Sequence, residues 1–154
     1  MTDRGVSIAV SHVLTLGITT LLISGLLLGI GGLLDQQQRA ATEGELRSIG
    51  DRISTDMVTI TATEQATGTI RVRPRYADAV SGSYRVELTT DDASCFGGTD
   101  HDGCLRFRTG TQPVTAEVPV SVPDGITVEP GVAQSDTLGI VYDADDDTIT
   151  ITNT

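Results

Sequence analysis

The stretch that decides the fold is residues 6–34, VSIAVSHVLTLGITTLLISGLLLGIGGLL, which holds 29 residues and no formal charge. A helix of this length would reach about 43 Å, because each residue adds about 1.5 Å. The apolar core of a bilayer is about 30 Å thick and takes about 20 helical residues to cross. The stretch is therefore long enough to span a membrane, with length to spare.

Small residues are frequent in this stretch. Gly25 and Gly29 form a GxxxG spacing, which lets two helix backbones approach closely in an apolar medium. His12 also lies inside the stretch, where an ionisable residue is a functional candidate. The alternative for His12 is a neutral side chain that hydrogen-bonds to a neighbour near the membrane interface. A cleaved secretory signal is disfavoured, because its apolar region is only about 7–15 residues long.

The helical pattern continues past the apolar stretch into a polar segment, residues 35–56. Four apolar residues recur from residue 46 to residue 57 at spacings of 3, 4 and 4, which places them on one face of a helix. These residues are Leu46, Ile49, Ile53 and Met57. We therefore predict one long N-terminal helix over residues 6–56, transmembrane in its first part and amphipathic over 35–56. Its amphipathic part needs a covering apolar surface, from the rest of the chain or from a neighbouring copy.

The sequence changes from a helical period to a period of two at residue 57. Alternating and β-branched segments predict strands, and turn-forming residues separate them. The predicted strands are VTITAT (58–63), TIRVRP (69–74), SYRVELT (83–89), LRFRT (105–109), VTAEVPVSV (114–122), LGIVYD (138–143) and TITIT (148–152). The last two predict a hairpin, and Pro119 and Pro123 place their segment at a sheet edge. The predicted fold class is α+β: the long helix followed by an antiparallel all-β domain over residues 57–154, a sheet or small sandwich.

The charge balance excludes some partners. The net charge of −11 and pI near 4.3 disfavour nucleic acid, since binding phosphates takes clustered basic residues. All ten basic residues are Arg, and Asp outnumbers Glu by 15 to 6. Concentrated salt shortens the Debye length to about 3 Å at 1 M, so such acidity favours a high-salt organism. The alternative is an ordinary acidic surface.

Two cysteines, Cys95 and Cys104, flank the loop CFGGTDHDGC. A disulfide closing this loop would stabilise the fold by about 2.5–3 kcal/mol and would indicate an oxidising location outside the cytoplasm. One alternative is a metal site made by both cysteines, His101 and either Asp100 or Asp102; another is a pair of free buried thiols. The spacing is not a standard zinc signature, so we expect no metal and no cofactor.

The sequence contains no catalytic motif: a nucleophile elbow, a P-loop and GxGxxG are all missing. Asp143, Asp145 and Asp147 alternate as in a calcium loop. An EF-hand needs Gly at its sixth position and Glu at its twelfth, which here are Thr148 and Thr154. We therefore expect a solvated acidic turn, no catalytic residue and no enzyme.

The junction Asp3-Arg4-Gly5-Val6-Ser7, directly before the apolar run, resembles the class III (prepilin-type) signal of archaeal type IV pilin-like proteins, particularly those of halophiles. In that family a membrane-embedded prepilin peptidase removes a short hydrophilic leader and leaves the apolar helix on the mature protein. The resemblance implies a leader over residues 1–5 and a processing site at Arg4, Gly5 and Val6, with the cut between Gly5 and Val6.

The resemblance further implies a pilin-like structural subunit of an archaeal cell-surface filament, anchored in the membrane by its helix before assembly. The expected partners are the prepilin peptidase, other pilin-like subunits packed through their helices, and membrane lipid, with no nucleic acid. The expected location is the cell membrane, crossed once with the β-rich domain outside, and then an extracellular filament. The alternative is a single-pass, membrane-anchored extracytoplasmic binding or structural protein that forms no filament.

Overall fold

In a computed structural model of the protein, one long helix is followed by two small β-sheets, and the fold is α+β as the sequence predicts. The structure describes residues 3–62, 67–76, 82–90, 95, 101–110 and 114–154. Within the helix, the side chains of residues 3–9 and 29–31 lie outside this description. The chain divides into two compact units, Met1–Ala40 and Ala41–Thr154.

The helix α1 (Asp3–Thr61) has 59 residues and ends five residues beyond the predicted end at residue 56. The prediction of a strand at 58–63 is therefore wrong over its helical part, residues 58–61. Ile60 continues the apolar face of the helix and packs against the core. The stabilisation from this packing outweighs the preference of the β-branched segment for a strand. The Thr59 hydroxyl donates to the Thr55 carbonyl at 2.8 Å, so a β-branched residue is accommodated within the helix.

The eight strands described after α1 are short, and most of them lie where the sequence predicts a strand. They are β1 (Thr69–Val72), β2 (Tyr84–Thr89), β3 (Gly103–Thr109), β4 (Thr115–Val120), β5 (Thr127–Val128), β6 (Gly131–Gln134), β7 (Leu138–Asp143) and β8 (Thr148–Asn153). The sequence did not predict β5 and β6. We refer to β1–β8 together as the β-domain.

The strands form two four-stranded sheets, in the orders β1-β7-β8-β5 and β4-β3-β2-β6. All pairs are antiparallel except β5 with β8, which are parallel. The predicted hairpin is β7–β8, with Leu138 opposite Asn153 and Asp143 opposite Thr148. The edge strand β4 holds Pro119, whose missing N–H is tolerated at a sheet edge.

The two sheets are joined where the chain passes from β5 into β6. The Glu129 N–H donates to the Ile149 carbonyl of β8 at 2.9 Å, and two residues later the chain pairs with β2 instead. Gly131 lies at this change of partner. A side chain does not fit there, because a Cβ would collide with the Ile151 carbonyl oxygen. The chain therefore crosses from one sheet to the other as a nearly continuous extended segment.

One hydrophobic core lies between the two sheets and the last turns of α1. Its largest fully buried side chain is Phe107, which meets Tyr84 with ring centroids 5.8 Å apart. The inward-facing residues alternate with exposed ones along β2 and β4, as expected for strands with one buried face. The segment of α1 after residue 41 is thus an integral layer of the β-domain's core.

Candidate functional site

The first unit of the chain presents an apolar surface that its own residues leave uncovered. Every large hydrophobic side chain described between residues 10 and 34 is exposed, from 51% at Ile18 to 83% at Leu28. The helix is long and apolar enough to cross a membrane by length and composition, with a mean hydropathy of 2.2 in its most apolar window. Because an uncovered apolar surface of this extent is costly in water, lipid or protein must cover it.

Three threonines within this surface have their hydroxyl groups satisfied by the helix itself. The hydroxyl groups of Thr15, Thr19 and Thr20 each donate to a carbonyl four residues earlier, at 2.8 Å. In an apolar medium an unpaired hydroxyl is expensive, and these bonds remove that cost without a partner from outside the helix. The threonines are therefore compatible with either lipid or packed helices around them.

A shallow apolar groove runs along one face of this part of α1. Gly17 contributes to it, and a Cβ added there would meet nothing within 4 Å. The groove is lined by Val10, Val13, Leu14, Gly17, Ile18 and Leu21. A groove with a glycine in its lining lets a side chain or the backbone of a second helix approach closely. The GxxxG spacing predicts close packing at Gly25 and Gly29 and does not reveal Gly17, since the spacing of Gly17 to other glycines forms no GxxxG.

The two predicted packing glycines differ in what the structure describes. A Cβ at Gly25 would meet nothing within 4 Å, so this position is open on the helix surface. The surroundings of Gly29 lie outside the described residues. His12, the ionisable residue of the apolar stretch, is exposed on α1.

The predicted processing site lies in the first turns of α1. Arg4, Gly5 and Val6 belong to the helix, which begins at Asp3. Their side chains lie outside the described residues.

The amphipathic part of α1 buries the apolar face that the sequence predicts. Leu46, Ile53 and Met57 are completely buried, and Ile49 is 3% exposed. All four belong to the core of the β-domain, so the covering surface comes from the chain itself. Full burial of side chains of this size stabilises the fold by about 1.5–3 kcal/mol each relative to exposure.

Gly50 sets how closely α1 approaches the sheet. A Cβ at this position would lie 2.5 Å from Val118 Cγ2 and 3.0 Å from Phe107 Cε2. Such separations are far below ordinary contact, so only glycine fits here without moving β3 or β4. The sequence shows Gly50 only as a weak point of the helix, and its packing role becomes visible in the structure alone.

A hydrogen bond connects α1 to the segment that follows β1. The Tyr76 hydroxyl donates to Asp56 Oδ2 at 2.7 Å. Burial raises the pKa of the Tyr76 hydroxyl well above its usual range, and the hydrogen bond and the negative charge of Asp56 raise it further. Tyr76 therefore stays protonated and acts as a fixed donor to the helix.

Cys95 and Cys104 form a disulfide, with their Cα atoms 5.8 Å apart. Both cysteines are buried, and a carboxylate oxygen of Glu117 lies within 4.8 Å of their sulfur atoms. The metal site considered from the sequence has only its two cysteines in common with this group of Cys95, Cys104 and Glu117. His101 does not belong to the group, and Asp100 lies outside the described residues. Since both sulfur atoms are bonded to each other, neither offers a thiolate to a metal in this state.

The acidic turn between β7 and β8 is organised by its own hydrogen bonds. Asp143 Oδ1 accepts from the Asp145 N–H at 3.0 Å, and Asp147 Oδ1 accepts from the Tyr142 hydroxyl at 3.2 Å. Asp147 has a φ of 51°, a left-handed conformation that Asp tolerates in tight turns. The alternating aspartates thus build a hairpin turn, and the described residues gather no group of metal-binding side chains here.

The comparisons with known proteins give one match. A family described as a family of unknown function, DUF7266, matches residues 1–153, which is nearly the whole chain. No curated protein and no solved structure matches.

Proposed function

Because the chain belongs to DUF7266, a family of unknown function, we propose its role from its own features: it is a pilin-like structural subunit of an archaeal cell-surface filament. The observation that carries this proposal is the unequal covering of α1. Its described large apolar side chains are exposed from Val10 to Leu34, whereas Leu46, Ile49, Ile53 and Met57 are buried in the β-domain. One helix therefore has an attached end and an end that requires partners.

The exposed end has two chemically suitable surroundings. Lipid covers about 30 Å of helix, and the apolar stretch of 29 residues exceeds that length. Packed copies of the same helix cover any length, and the groove around Gly17 permits close approach. A subunit that begins in the bilayer and then enters a bundle of helices makes use of both.

The proposed sequence of events follows from this surface and from the junction before it. The prepilin peptidase cuts between Gly5 and Val6, and lipid holds the apolar helix until assembly. The helices of several subunits then pack in the filament core, and the β-domains face outward. The Cys95–Cys104 disulfide supports an oxidising location for the β-domain, outside the cytoplasm.

A second candidate is a single-pass membrane anchor that carries an extracytoplasmic domain and forms no filament. The hydrogen bonds of Thr15, Thr19 and Thr20 favour it, because they leave these hydroxyls satisfied in lipid without a neighbouring helix. The two candidates differ in processing at Gly5 and in the fate of the helix after insertion.

The test is an intact mass of the protein from its native membrane, together with electron microscopy of filaments sheared from the cells. We expect a mature N-terminus at Val6 and filaments that contain the protein. The substitution Gly5→Val should block processing and filament formation, and Thr2→Val is the control, because it introduces a valine into the leader away from the junction. Retention of residues 1–5 in all material, with no filaments, would establish the plain anchor instead.

A further inference from the structure

Three arginines form a row on the outside of the β-domain. In the segment from Thr69 to Tyr76, exposed residues alternate with half-buried ones, and the exposed residues include Arg71, Arg73 and Arg75. Residues two apart in an extended chain point to the same side, so the three guanidinium groups share one side of this segment. We call these three residues the arginine ridge.

The arginine ridge is unusual for this chain. It gathers three of the ten basic residues within five positions of a protein whose net charge is −11. In the part of the chain that the structure describes, the ion pairs involve Arg47 and Arg106 and none of the ridge residues. Asp51 and Asp56 of α1 line a pocket together with Arg75 and offset part of its charge. The rest of the row is a set of like charges that repel each other, so negative charge brought by a partner would stabilise it.

The ridge is also accessible. Its first residue, Arg71, lies on β1, which is the edge strand of its sheet, next to β7. Ile70 and Tyr76, on either side of the three arginines, pack against the core and hold the two ends of the segment in place. The ridge is thus a supported, exposed surface.

A complementary group lies at the other end of the same edge. Thr69 of β1 is opposite Asp143, directly before the turn between β7 and β8. Asp145 and Asp146 in that turn are exposed, and in the described residues their carboxylates accept no hydrogen bond, unlike those of Asp143 and Asp147. Asp145 and Asp146 are thus the members of the acidic turn that remain available to a partner.

The two groups do not neutralise each other within one copy. No ion pair joins them among the described residues. At about 3.3 Å per residue, Arg75 lies about 20 Å along the chain from Thr69, beyond the reach of a side chain from the turn. Arg71 is nearer to the turn but is in no described ion pair with it. One edge of the β-domain therefore carries positive charge at one end and negative charge at the other.

We propose that the arginine ridge of one copy binds the acidic turn of the next copy. The contact joins two different surfaces, so each pair of copies keeps one free ridge and one free acidic turn, and the contact can repeat along an assembly. Arginine suits this role, since its planar guanidinium group binds a carboxylate through two hydrogen bonds. The repetition rests on the proposed filament, whereas the pairwise contact does not.

The experiment places a photo-crosslinking amino acid, p-benzoylphenylalanine, at position 145 of the full-length protein in its native membrane. Asp146 then remains to make the contact. We expect a crosslinked dimer in which mass spectrometry maps the second copy to residues 69–76. The charge reversal Arg73→Glu should lower the crosslink yield about tenfold or more, because like charges then meet. Adding Asp146→Arg to that variant should restore the yield.

The control is Arg108→Glu, which reverses the charge of an exposed arginine on β3, outside the ridge. It should leave the yield unchanged. Arg71→Glu provides a second ridge variant, and intact mass under non-reducing conditions verifies the disulfide of each protein. Lower salt should raise the yield, since exposed ion pairs are screened by salt.

Several results would overturn the proposal: no crosslink to the ridge, an equal yield from Arg73→Glu, or a loss that Asp146→Arg does not restore. The last result would indicate a different acidic partner. Filaments that form without this crosslink overturn the contact and leave the proposed function standing. A ridge crosslink between membrane-anchored copies that form no filament supports the contact and overturns the filament.

Discussion

The two parts of α1 differ in how their apolar residues are distributed and in what covers them. The part before residue 35 is apolar on all sides, and its side chains are exposed. The part after residue 41 carries few apolar residues, yet Leu46, Ile49, Ile53 and Met57 are buried. Burial within one chain therefore follows the periodic arrangement of apolar residues rather than their number.

The reason lies in geometry. A single stripe of apolar residues matches the inner face of a sheet, and the polar remainder of the helix stays in water. A helix that is apolar all round cannot be covered by one sheet, so it needs a surrounding medium or several neighbours. The difference between the two parts predicts a large loss of stability in one part and almost none in the other for the same substitution.

The largest expected effect comes from the buried stripe. Ile53→Ala should lower the free energy of unfolding by about 2–5 kcal/mol, because it opens a cavity at a completely buried position. Urea unfolding in detergent, followed by the β-sheet signal in circular dichroism, measures this change.

The matched control is Ile23→Ala, the same substitution at a position that is 57% exposed in the apolar part. It should change the unfolding of the β-domain by less than about 0.5 kcal/mol. Equal destabilisation by both variants would contradict the division of α1 into an uncovered part and a core part.

The second prediction uses two glycines of the same helix. Gly50→Ala places a Cβ 2.5 Å from Val118 Cγ2, so overpacking should cost about 1–3 kcal/mol and exceed the gain of about 1 kcal/mol in helix propensity. Gly44→Ala meets nothing within 4 Å and should stabilise by up to about 1 kcal/mol. Thermal unfolding of both variants measures the two signs, and a stabilising Gly50→Ala would mean that α1 lies farther from the sheet.

The sequence predicts features that depend on residues close together in the chain. The stripe on α1 follows from spacing, the β7–β8 hairpin from two alternating runs around a turn, and the disulfide from two cysteines nine positions apart. Each of these needs only local geometry. The described structure contains all three.

The features that the sequence missed depend on distant partners. The last turn of α1, residues 58–61, is rich in β-branched residues and looks like a strand, but Ile60 is drawn into the core as helix. The two-residue strand β5 exists because Val128 pairs with Ile149 of β8, and β6 because it pairs with β2. Gly50 likewise acquires its role only from Val118 across the core. Local preference cannot reveal these pairings.

The smallest expected effect concerns polar groups, which the two parts of α1 also satisfy differently. Thr19 in the apolar part bonds to its own helix, whereas Asp56 accepts a hydrogen bond from Tyr76 across the domain. Tyr76→Phe should therefore lower the free energy of unfolding at neutral pH by about 0.5–1.5 kcal/mol. Thr19→Val should leave the unfolding of the β-domain unchanged.

The pH dependence separates this hydrogen bond from simple packing. The pKa of Tyr76 is raised in the folded protein, first by burial, and in the unfolded chain a tyrosine titrates near about 10. The unfolded state therefore binds fewer protons above pH 10, so the contribution of Tyr76 to stability should be constant below that pH and fall as the pH rises beyond it. Tyr76→Phe should reduce the steepness of this fall while lowering stability at neutral pH. Tyr84→Phe should reduce the steepness too, since burial raises the pKa of Tyr84, but it breaks no described hydroxyl hydrogen bond and should cost little at neutral pH. If both variants lose the same stability at neutral pH, the bond to Asp56 contributes nothing beyond the packing of the ring.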